Sequence, residues 1–482
     1  MSPTRRPTVS SSVLGGTINL PPRPCRHAPA TTVSPWRGAE GTAGTVAVVG
    51  AGKMGLPLAA QFASHGWSVI AVDVDPGVVA SINAGRSHIG EEPGVADLVA
   101  RAHGEHRLRA TADGAQAARE ADVVVLIVPV MLDGTHRPDH RWMDLAVESI
   151  GPGVHAGSTV IFETTLPVGD TRDRYAPRLE AASGLATSGD ADDRIFVAFS
   201  PERLYSGAAL ANLSTYPKLV GGLDDASTAR AAAFYESVLD AEVVAMSSAE
   251  AAEFSKLADT TYRDVNIALA NEFARYADRI GVDVTEVIAA ANSQPYSHIH
   301  QPGIGVGGHC IPVYPHFLLD RAPELSIVAR AREVNDGQVD VATETVRSVL
   351  GDLDDATVLV LGLTYRHGVK ELAYSRALPL VDALRAGGAR VLAYDPLLSA
   401  SEVERTGATP WTWGSVTPDV GAIVTQTADP AWLDLDTAWF PALRVIYDGR
   451  NSLSGLVAGL PAGIAYRGVG VPDERRTPVA VD

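Results

Sequence analysis

The side chain best placed for covalent chemistry is Cys310. In Pro302-Gly303-Ile304-Gly305-Val306-Gly307-Gly308-His309-Cys310-Ile311-Pro312, four glycines precede one thiol. A backbone with so few Cβ atoms can lie against a ligand, and a thiol at its end can trap a carbonyl carbon as a covalent, aldehyde-level intermediate. An isolated cysteine is more often an inert core residue. A second motif, Gly50-Ala51-Gly52-Lys53-Met54-Gly55, changes that balance. It follows the apolar run Val46-Ala47-Val48-Val49 and opens the helix-like Leu56–Phe62, the context that gives a Gly-x-Gly-x-x-Gly pattern its value. The first glycine permits a tight turn, the second lets the backbone approach a pyrophosphate, and the third allows close helix–strand packing. The helix start adds free N–H groups and positive dipole for the anion. Asp73 ends the next strand, 21 residues after Gly52, where a carboxylate can accept ribose hydroxyls and repel a 2′-phosphate. That selects NAD over NADP. Lys256 is a third candidate, with Thr260 one turn later and Arg263 nearly two turns later on the same helix face. Residue types alone leave open whether it is a solvated lysine or a cation for a reacting oxygen.

These groups need elements to hold them. Apolar runs at 46–49, 68–72, 123–128, 160–162 and 195–199 alternate with helical segments, which reads as βαβ units and a parallel sheet. Ser247 and Glu250 form a candidate capping box, and residues 249 to about 280 contain no Gly or Pro, predicting one helix near 45 Å long. Its apolar residues exceed what one small domain would cover. A Pro/Gly-rich loop (295–315) and more helix lead to a second α/β region. There Thr357–Gly362, a helix near 376–386, Gly387-Gly388 and Arg390–Tyr394 ending at Asp395 repeat the first pattern. Leu361-Gly362-Leu363-Thr364-Tyr365-Arg366 lacks the second and third glycines, so this domain is expected to bind something other than a dinucleotide. The expected plan is a tail (1–43), an N-terminal α/β domain (44–246), a helical centre (247–345), a C-terminal α/β domain (346–470) and a short tail (471–482).

Composition narrows the options. The 482 residues carry 39 basic and 57 acidic side chains, net −18, which argues against a nucleic-acid partner. No run approaches the roughly 20 apolar residues of a membrane helix, and no signal-like segment opens the chain. Two cysteines, Cys25 and Cys310, do not make a disulfide framework, so a reducing cytoplasm is expected. The only lysines are Lys53, Lys218, Lys256 and Lys370, which makes each worth locating.

Residues 45 to about 467 resemble the nucleotide-sugar 6-dehydrogenase family, the UDP-glucose/GDP-mannose dehydrogenase superfamily. The resemblance is carried by Gly50–Gly55, Glu163-Thr164-Thr165-Leu166-Pro167-Val168-Gly169, and Ser200-Pro201-Glu202-Arg203 with Gly207. Further matches are Lys256-Leu257-Ala258, Tyr262-Arg263-Asp264-Val265-Asn266, Asn271-Glu272, Gly307-Gly308-His309-Cys310-Ile311-Pro312 and Asp448-Gly449-Arg450-Asn451. It implies an α/β protein with two Rossmann-like domains joined by a long central helix, and a helical domain that forms a homodimer. NAD would lie on Gly50, Gly52, Lys53, Met54, Gly55, Asp73, Val128, Pro129 and Thr165. A UDP-sugar would be held by Glu202, Arg203, Lys256, Arg263, Gly303, Gly305, Gly307, Tyr365, Arg366 and Arg450. Cys310 would capture the C6 aldehyde as a thiohemiacetal and carry the thioester. Lys256 and Thr260 would stabilise the oxyanion, Thr165 would hold a water, and Glu202 would lie at the reacting centre. No metal is implied.

Pro201-Glu202-Arg203 and the Gly-Gly-His-Cys-Ile-Pro-Val loop resemble the 2-acetamido-hexose branch, with UDP-N-acetyl-D-mannosamine favoured. Another nucleotide sugar such as UDP-glucose, or a catalytically weakened binding homologue, remains open. Three positions depart from the family. Thr260 stands for Asn, Tyr314 for Asp, and Tyr296 for an Arg that in many relatives reaches the neighbour's sugar. A Thr hydroxyl can still donate to an oxyanion, whereas a Tyr cannot replace a carboxylate near neutral pH. A simple β-hydroxyacid dehydrogenase would account for neither Cys310 nor the C-terminal domain.

Overall fold

Short, almost wholly apolar segments form strands buried on both faces, as a helix-covered parallel sheet requires. The computed structural model describes residues 43–90, 92–189, 193–203 and 207–472; the expected tails, with Cys25, lie almost wholly outside them. The first sheet contains β1 (Thr45–Val49), β2 (Ser68–Val72), β3 (Leu108–Thr111), β4 (Val123–Leu126), β5 (Thr159–Phe162), β6 (Phe196–Phe199), β7 (Lys218–Gly222) and β8 (Val243–Ala245). Their order is β8-β7-β6-β5-β4-β1-β2-β3. Strand order reverses at β1, which pairs in parallel with both β2 and β4 and opens a crevice at its carboxyl end. The expectation of a wholly parallel sheet needs one correction, because β6 and β7 pair antiparallel. The helix between them, Ala209–Thr215, packs on the helix after β1 instead of crossing back over the sheet.

The C-terminal sheet contains β9 (Thr357–Leu361), β10 (Arg390–Tyr394), β11 (Thr409–Pro410), β12 (Val420–Thr425), β13 (Val445–Asp448) and β14 (Ala465–Gly468). All its pairings are parallel, in the order β11-β10-β9-β12-β13-β14, and its strand order reverses between β9 and β12.

Three helices position the site: α1 (Gly55–Ser64), α2 (Ala249–Ile280) and α3 (Tyr314–Arg321). The 32 residues of α2 span about 48 Å. Its cap is Ser248, whose side chain accepts the Ala251 N–H, rather than Ser247. Glu250 does not close a capping box and instead pairs with Arg172 at 2.5 Å. Gly281 ends the helix at φ +70°, where a residue without Cβ is favoured. One face of α2 is buried through Ala252, Leu257, Thr260, Ala268 and Ala274. The opposite face exposes Phe254, Tyr262, Leu269, Phe273, Tyr276 and Ile280, an apolar stripe on a helix that water alone would not select.

A buried polar network joins α2 to α4 (Ser326–Asp336). Arg332 donates to Asp264 at 2.6 Å, Asn335 donates to the same carboxylate at 2.8 Å, and Asn271 donates to Asn335 at 2.9 Å. Burial raises the Asp264 pKa despite the Arg332 charge, so the ion is held at a cost. Removing one member of a buried pair strands the other, which typically costs about 3–5 kcal/mol. Arg332 keeps Asp336 at 2.6 Å as a second partner, so we expect Asp264→Ala to lose stability at the lower end of that scale in urea unfolding. A loss below about 1 kcal/mol would show that Asp336 alone suffices for Arg332.

Candidate active site

The glycine loop after β1 is shaped by close approach. Gly50 has φ +94°, and a Cβ there would lie 3.0 Å from the Ile127 carbonyl oxygen; a Cβ at Gly55 would collide with the Gly50 carbonyl. At Gly52 a Cβ would meet no protein atom within 4 Å, so the middle of the loop is open to a ligand. Met54 provides no side-chain cap to α1, whose positive end faces the loop; of its first N–H groups, that of Leu56 is taken by the Gly52 carbonyl at 3.1 Å and Pro57 has none. The Asp73 carboxylate accepts the Ala51 N–H at 2.9 Å and the Asp75 N–H at 3.0 Å, which fixes it beside the loop. Val128 borders Gly50, its carbonyl accepts the Thr164 hydroxyl at 2.7 Å, and Pro129 is exposed beside it. These residues fit the pyrophosphate and adenosine ribose of NAD.

The cysteine loop is built from two sides. Asn271 of α2 accepts the Gly303 N–H at 2.9 Å. Gly305 has φ +68° and presses on the Asn335 carbonyl. From the C-terminal domain, Arg450 lies 2.9 Å from where a Gly303 Cβ would be, and Tyr365 lies 3.1 Å and 3.0 Å from those of Gly307 and Gly308. Arg450 donates to the Gln426 carbonyl at 2.8 Å, and burial lowers its pKa. Arg366 sits over the Tyr365 ring, 5.9 Å from its centroid. The predicted substrate residues Gly303, Gly305, Gly307, Tyr365, Arg366 and Arg450 thus come together around the approach to the half-buried Cys310.

Lys256 has 7 % exposure, which sets aside the solvated-lysine reading. Thr260 is fully buried, and its hydroxyl donates to the Lys256 carbonyl at 2.9 Å. A hydroxyl has one proton, so donation from Thr260 to an oxyanion would require breaking this bond. Arg263 pairs with Asp259 at 3.2 Å and faces His300, whose pKa falls through burial and the Arg263 charge. Among the described residues, no contact brings Arg263 to Cys310. Tyr296 is 79 % exposed, far out on the surface.

The 163–171 loop forms the remaining wall. Glu163 is fully buried, ion-paired to Lys218 and accepting the Tyr235 hydroxyl at 2.8 Å. Lys218 is therefore a scaffold residue. Glu202 donates its N–H to the Glu163 carbonyl at 3.1 Å. Arg203 lines a small cleft with Glu202, Asn212 and Tyr216. Thr165 is 3 % exposed. Tyr314 is partly buried one turn after Cys310; burial first, then the Cys310 charge, push its pKa well up.

Two positioning groups went unnoticed in the sequence. Glu253, one turn before Lys256, accepts the Gly169 N–H at 2.6 Å and the Thr171 N–H and hydroxyl at 3.0 and 2.6 Å. Burial nevertheless raises it to about 7. Glu371 lies 3.3 Å from His309 and 3.6 Å from Lys53, tying the C-terminal domain to the cysteine loop and the nucleotide loop. A carboxylate within an alanine-rich helix face could have flagged Glu253. Nothing local marks Glu371, whose partners are distant in sequence.

A nucleotide loop, a second α/β domain and a thiol between them define an NAD-dependent dehydrogenase. The chain belongs to the UDP-glucose/GDP-mannose dehydrogenase family, matching its NAD-binding domain at 44–239, its central domain at 250–337 and its UDP-binding domain at 359–455. It is 32 % identical over 436 residues to UDP-N-acetyl-D-mannosamine dehydrogenase of Pyrococcus horikoshii, covering 89 % of this chain and 99 % of that one. The same activity names a Salmonella typhi relative, 35 % identical over 351 residues, covering 70 % and 82 %. The solved Pyrococcus horikoshii structure superposes with TM-score 0.81, covering 89 % of this chain and all (100 %) of that one. A UDP-glucose dehydrogenase from Pyrobaculum islandicum gives TM-score 0.78 at 27 % identity, covering 88 % and 97 %.

The Glu371 cluster has a pH signature. The His309 hydrogen bond, helped by the Ala373 N–H and the Lys53 charge and opposed by burial, holds its carboxyl at about 2. A depressed carboxyl stabilises the fold above its ordinary pKa near 4.5 and loses that contribution as pH falls towards 2. The gap in melting temperature between wild type and Glu371→Gln should hold from pH 6 to 5, narrow below about 4.5 and be nearly gone at about 2. A gap that keeps its full size down to about pH 2 would contradict the assignment.

Proposed function

We propose that the chain oxidises C6 of a UDP-N-acetylhexosamine, UDP-N-acetyl-D-mannosamine being favoured, from alcohol to carboxylate in the cytoplasm. The observation that carries this reading is that the loop leading to Cys310 is tied to α2 through Gly303 and Asn271 and to the C-terminal domain through His309 and Glu371, and that Glu371 also pairs with Lys53 of the nucleotide loop. The named activity of the relatives and the Pro201-Glu202-Arg203 and Gly307–Val313 segments support the acetamido sugar.

NAD supplies the hydride acceptor for both oxidations. This chain's residues do the rest. Asp73 takes the ribose hydroxyls, and the loop at Gly50–Gly55 with Lys53 and Met54 takes the pyrophosphate. Val128, Pro129 and Thr165 flank the cofactor. Arg203, Arg263, Arg366 and Arg450, with Tyr365 and the glycines of the cysteine loop, hold the UDP-sugar. The Cys310 sulfur bonds to the C6 aldehyde carbon, and the oxidised adduct is a thioester. Water then attacks that carbon, the carbon–sulfur bond breaks, and the uronate leaves. Lys256 stabilises negative charge on the reacting oxygen, as a fixed cation in a dry site does. Thr165 holds the water and Glu202 lies beside the reacting centre.

Purified protein given NAD and a panel of UDP-sugars should form two NADH per uronate, fastest with the N-acetylmannosamine sugar. Cys310→Ser should slow uronate formation at least a hundredfold (order of magnitude for loss of a nucleophile) while binding both ligands. Full turnover by Cys310→Ser would exclude the thioester route.

The exposed stripe on α2 is proposed as the homodimer interface. Light scattering at micromolar concentration should give twice the chain mass, and Phe273→Asp should return it to one. A wild-type monomer would refute this.

A further inference from the structure

The segment after β5, Glu163 to Thr171, runs into a short helical stretch that starts at Thr171. A helical turn begins with N–H groups that no carbonyl behind them can take. Here Arg172 and Asp173 donate to the Gly169 carbonyl at 3.1 and 2.8 Å, while the Gly169 and Thr171 N–H groups donate to Glu253 of α2 at 2.6 and 3.0 Å. The Thr171 hydroxyl adds a third bond to Glu253 at 2.6 Å. Both side chains are fully buried, so water cannot replace either partner. A carboxylate suits three donors because it accepts through both oxygens and carries no proton of its own. A glutamine would turn its NH2 towards one of the two backbone N–H groups and leave that group unpaired.

The same turn is gripped from α3, where Arg321 donates to the buried Asp170 carboxylate. That helix starts one turn after Cys310, with the Tyr314 N–H on the Cys310 carbonyl at 3.0 Å, and Glu253 lies one turn before Lys256 on α2. The Gly169–Thr171 turn is thus fastened to the helix that carries Lys256 and to the helix that follows the thiol. At the other end of the segment, Glu163 is held by Lys218 and Tyr235, and the Thr164 hydroxyl by the Val128 carbonyl. Thr165 sits between the two fastenings, and without the Glu253 end the segment is fixed on one side of it only.

We propose that Glu253 is a positioning residue that acts through the Gly169–Thr171 turn to hold Thr165 at the reacting centre for thioester hydrolysis. This rests on the reading above in which Thr165 holds the water.

The test uses the full-length enzyme with NAD and UDP-N-acetyl-D-mannosamine at about pH 8, above the value of about 7 to which burial raises Glu253. Glu253→Gln keeps the side-chain shape, and kcat should fall about 10- to 100-fold, the cost of a small misplacement at a reacting centre. Aldehyde capture and oxidation precede the water step, so kcat/KM for the UDP-sugar should stay within about threefold. Acid-quenched protein should carry the sugar acyl group on Cys310 by intact mass. Thr165→Ala should lower kcat by itself, and adding Glu253→Gln to it should cost less than about twofold more, because nothing is left to place. Thr171→Val removes only the hydroxyl donor and should show the same pattern with a loss of about two- to fivefold. Should Glu253→Gln fail to fold, Thr171→Val decides, and unchanged kcat there overturns the proposal. Unchanged kcat in a folded Glu253→Gln overturns it too. So does an equal loss with and without Thr165, or a loss of kcat/KM matching that of kcat with no adduct, the patterns of a merely structural residue. Wild-type turnover by Thr165→Ala would instead remove the reading of Thr165 and the proposal with it, so the two failures are distinguishable.

Discussion

The buried network of Asp264, Arg332, Asn335 and Asn271 is the constraint on which the site depends. It crosslinks α2 to α4 in a place where neither charge is solvated. Asn271 carries it into the cysteine loop through the Gly303 N–H, and Gly305 packs on the Asn335 carbonyl. On the far side, Asp336 of α4 accepts Arg332 and lies 3.2 Å from Arg376 of the C-terminal domain. One polar chain therefore sets where the glycines lie and where the third domain docks. Such networks are costly to bury, but every broken link leaves a polar atom without a partner, so they tolerate one arrangement. A thiol that must meet a carbon held by other domains needs that uniqueness.

The same helix fixes the opposite wall. Glu253 draws the Gly169–Thr171 turn onto α2 with three hydrogen bonds, one turn from Lys256. Glu163 locks the start of that loop to β7 through Lys218 and to the helix Asp225–Val238 through Tyr235. Thr165 lies between these two anchors. Loops usually carry function because they are free to vary. Here the two loops that meet at Cys310 are tied down by buried carboxylates and amides on rigid elements.

Much of this was legible in the sequence. The Gly50–Gly55 pattern, Asp73 and the long helix were read with their positions, because glycine turns and helix periodicity are local signals. Local reading erred by one residue at the helix cap, where Ser247 and Ser248 are chemically alike and only backbone geometry chooses between them. It missed the antiparallel β6–β7 pair, since strand direction depends on where the connecting helix packs. Lys218 was noticed only for its rarity, and Tyr314 only as a carboxylate lost. Lys218 acquires its meaning from Glu163, far away in sequence. Glu371 is the extreme case, joining residues 53 and 309 across two domain boundaries.

The two α/β halves show how one backbone device can serve two ends. Asp73 braces the turn after β1 as Asp395 braces the turn after β9, and Gly50 and Gly362 both take positive φ. The difference is in what remains available. Asp73 is half-exposed, with its carboxylate at the mouth of an open glycine turn. Asp395 is 3 % exposed, and one of its oxygens already accepts the Leu363 and Thr364 N–H groups and the Thr364 hydroxyl. A ribose would find no acceptor there. Thr364 occupies the place that Gly52 leaves open, and Tyr365 and Arg366 replace the small loop with side chains. Those side chains turn towards the cysteine loop, where Tyr365 packs against Gly307 and Gly308. Losing two glycines thus converts a phosphate cradle into a wall of the proposed sugar site, which is why the duplicated fold need not duplicate the ligand.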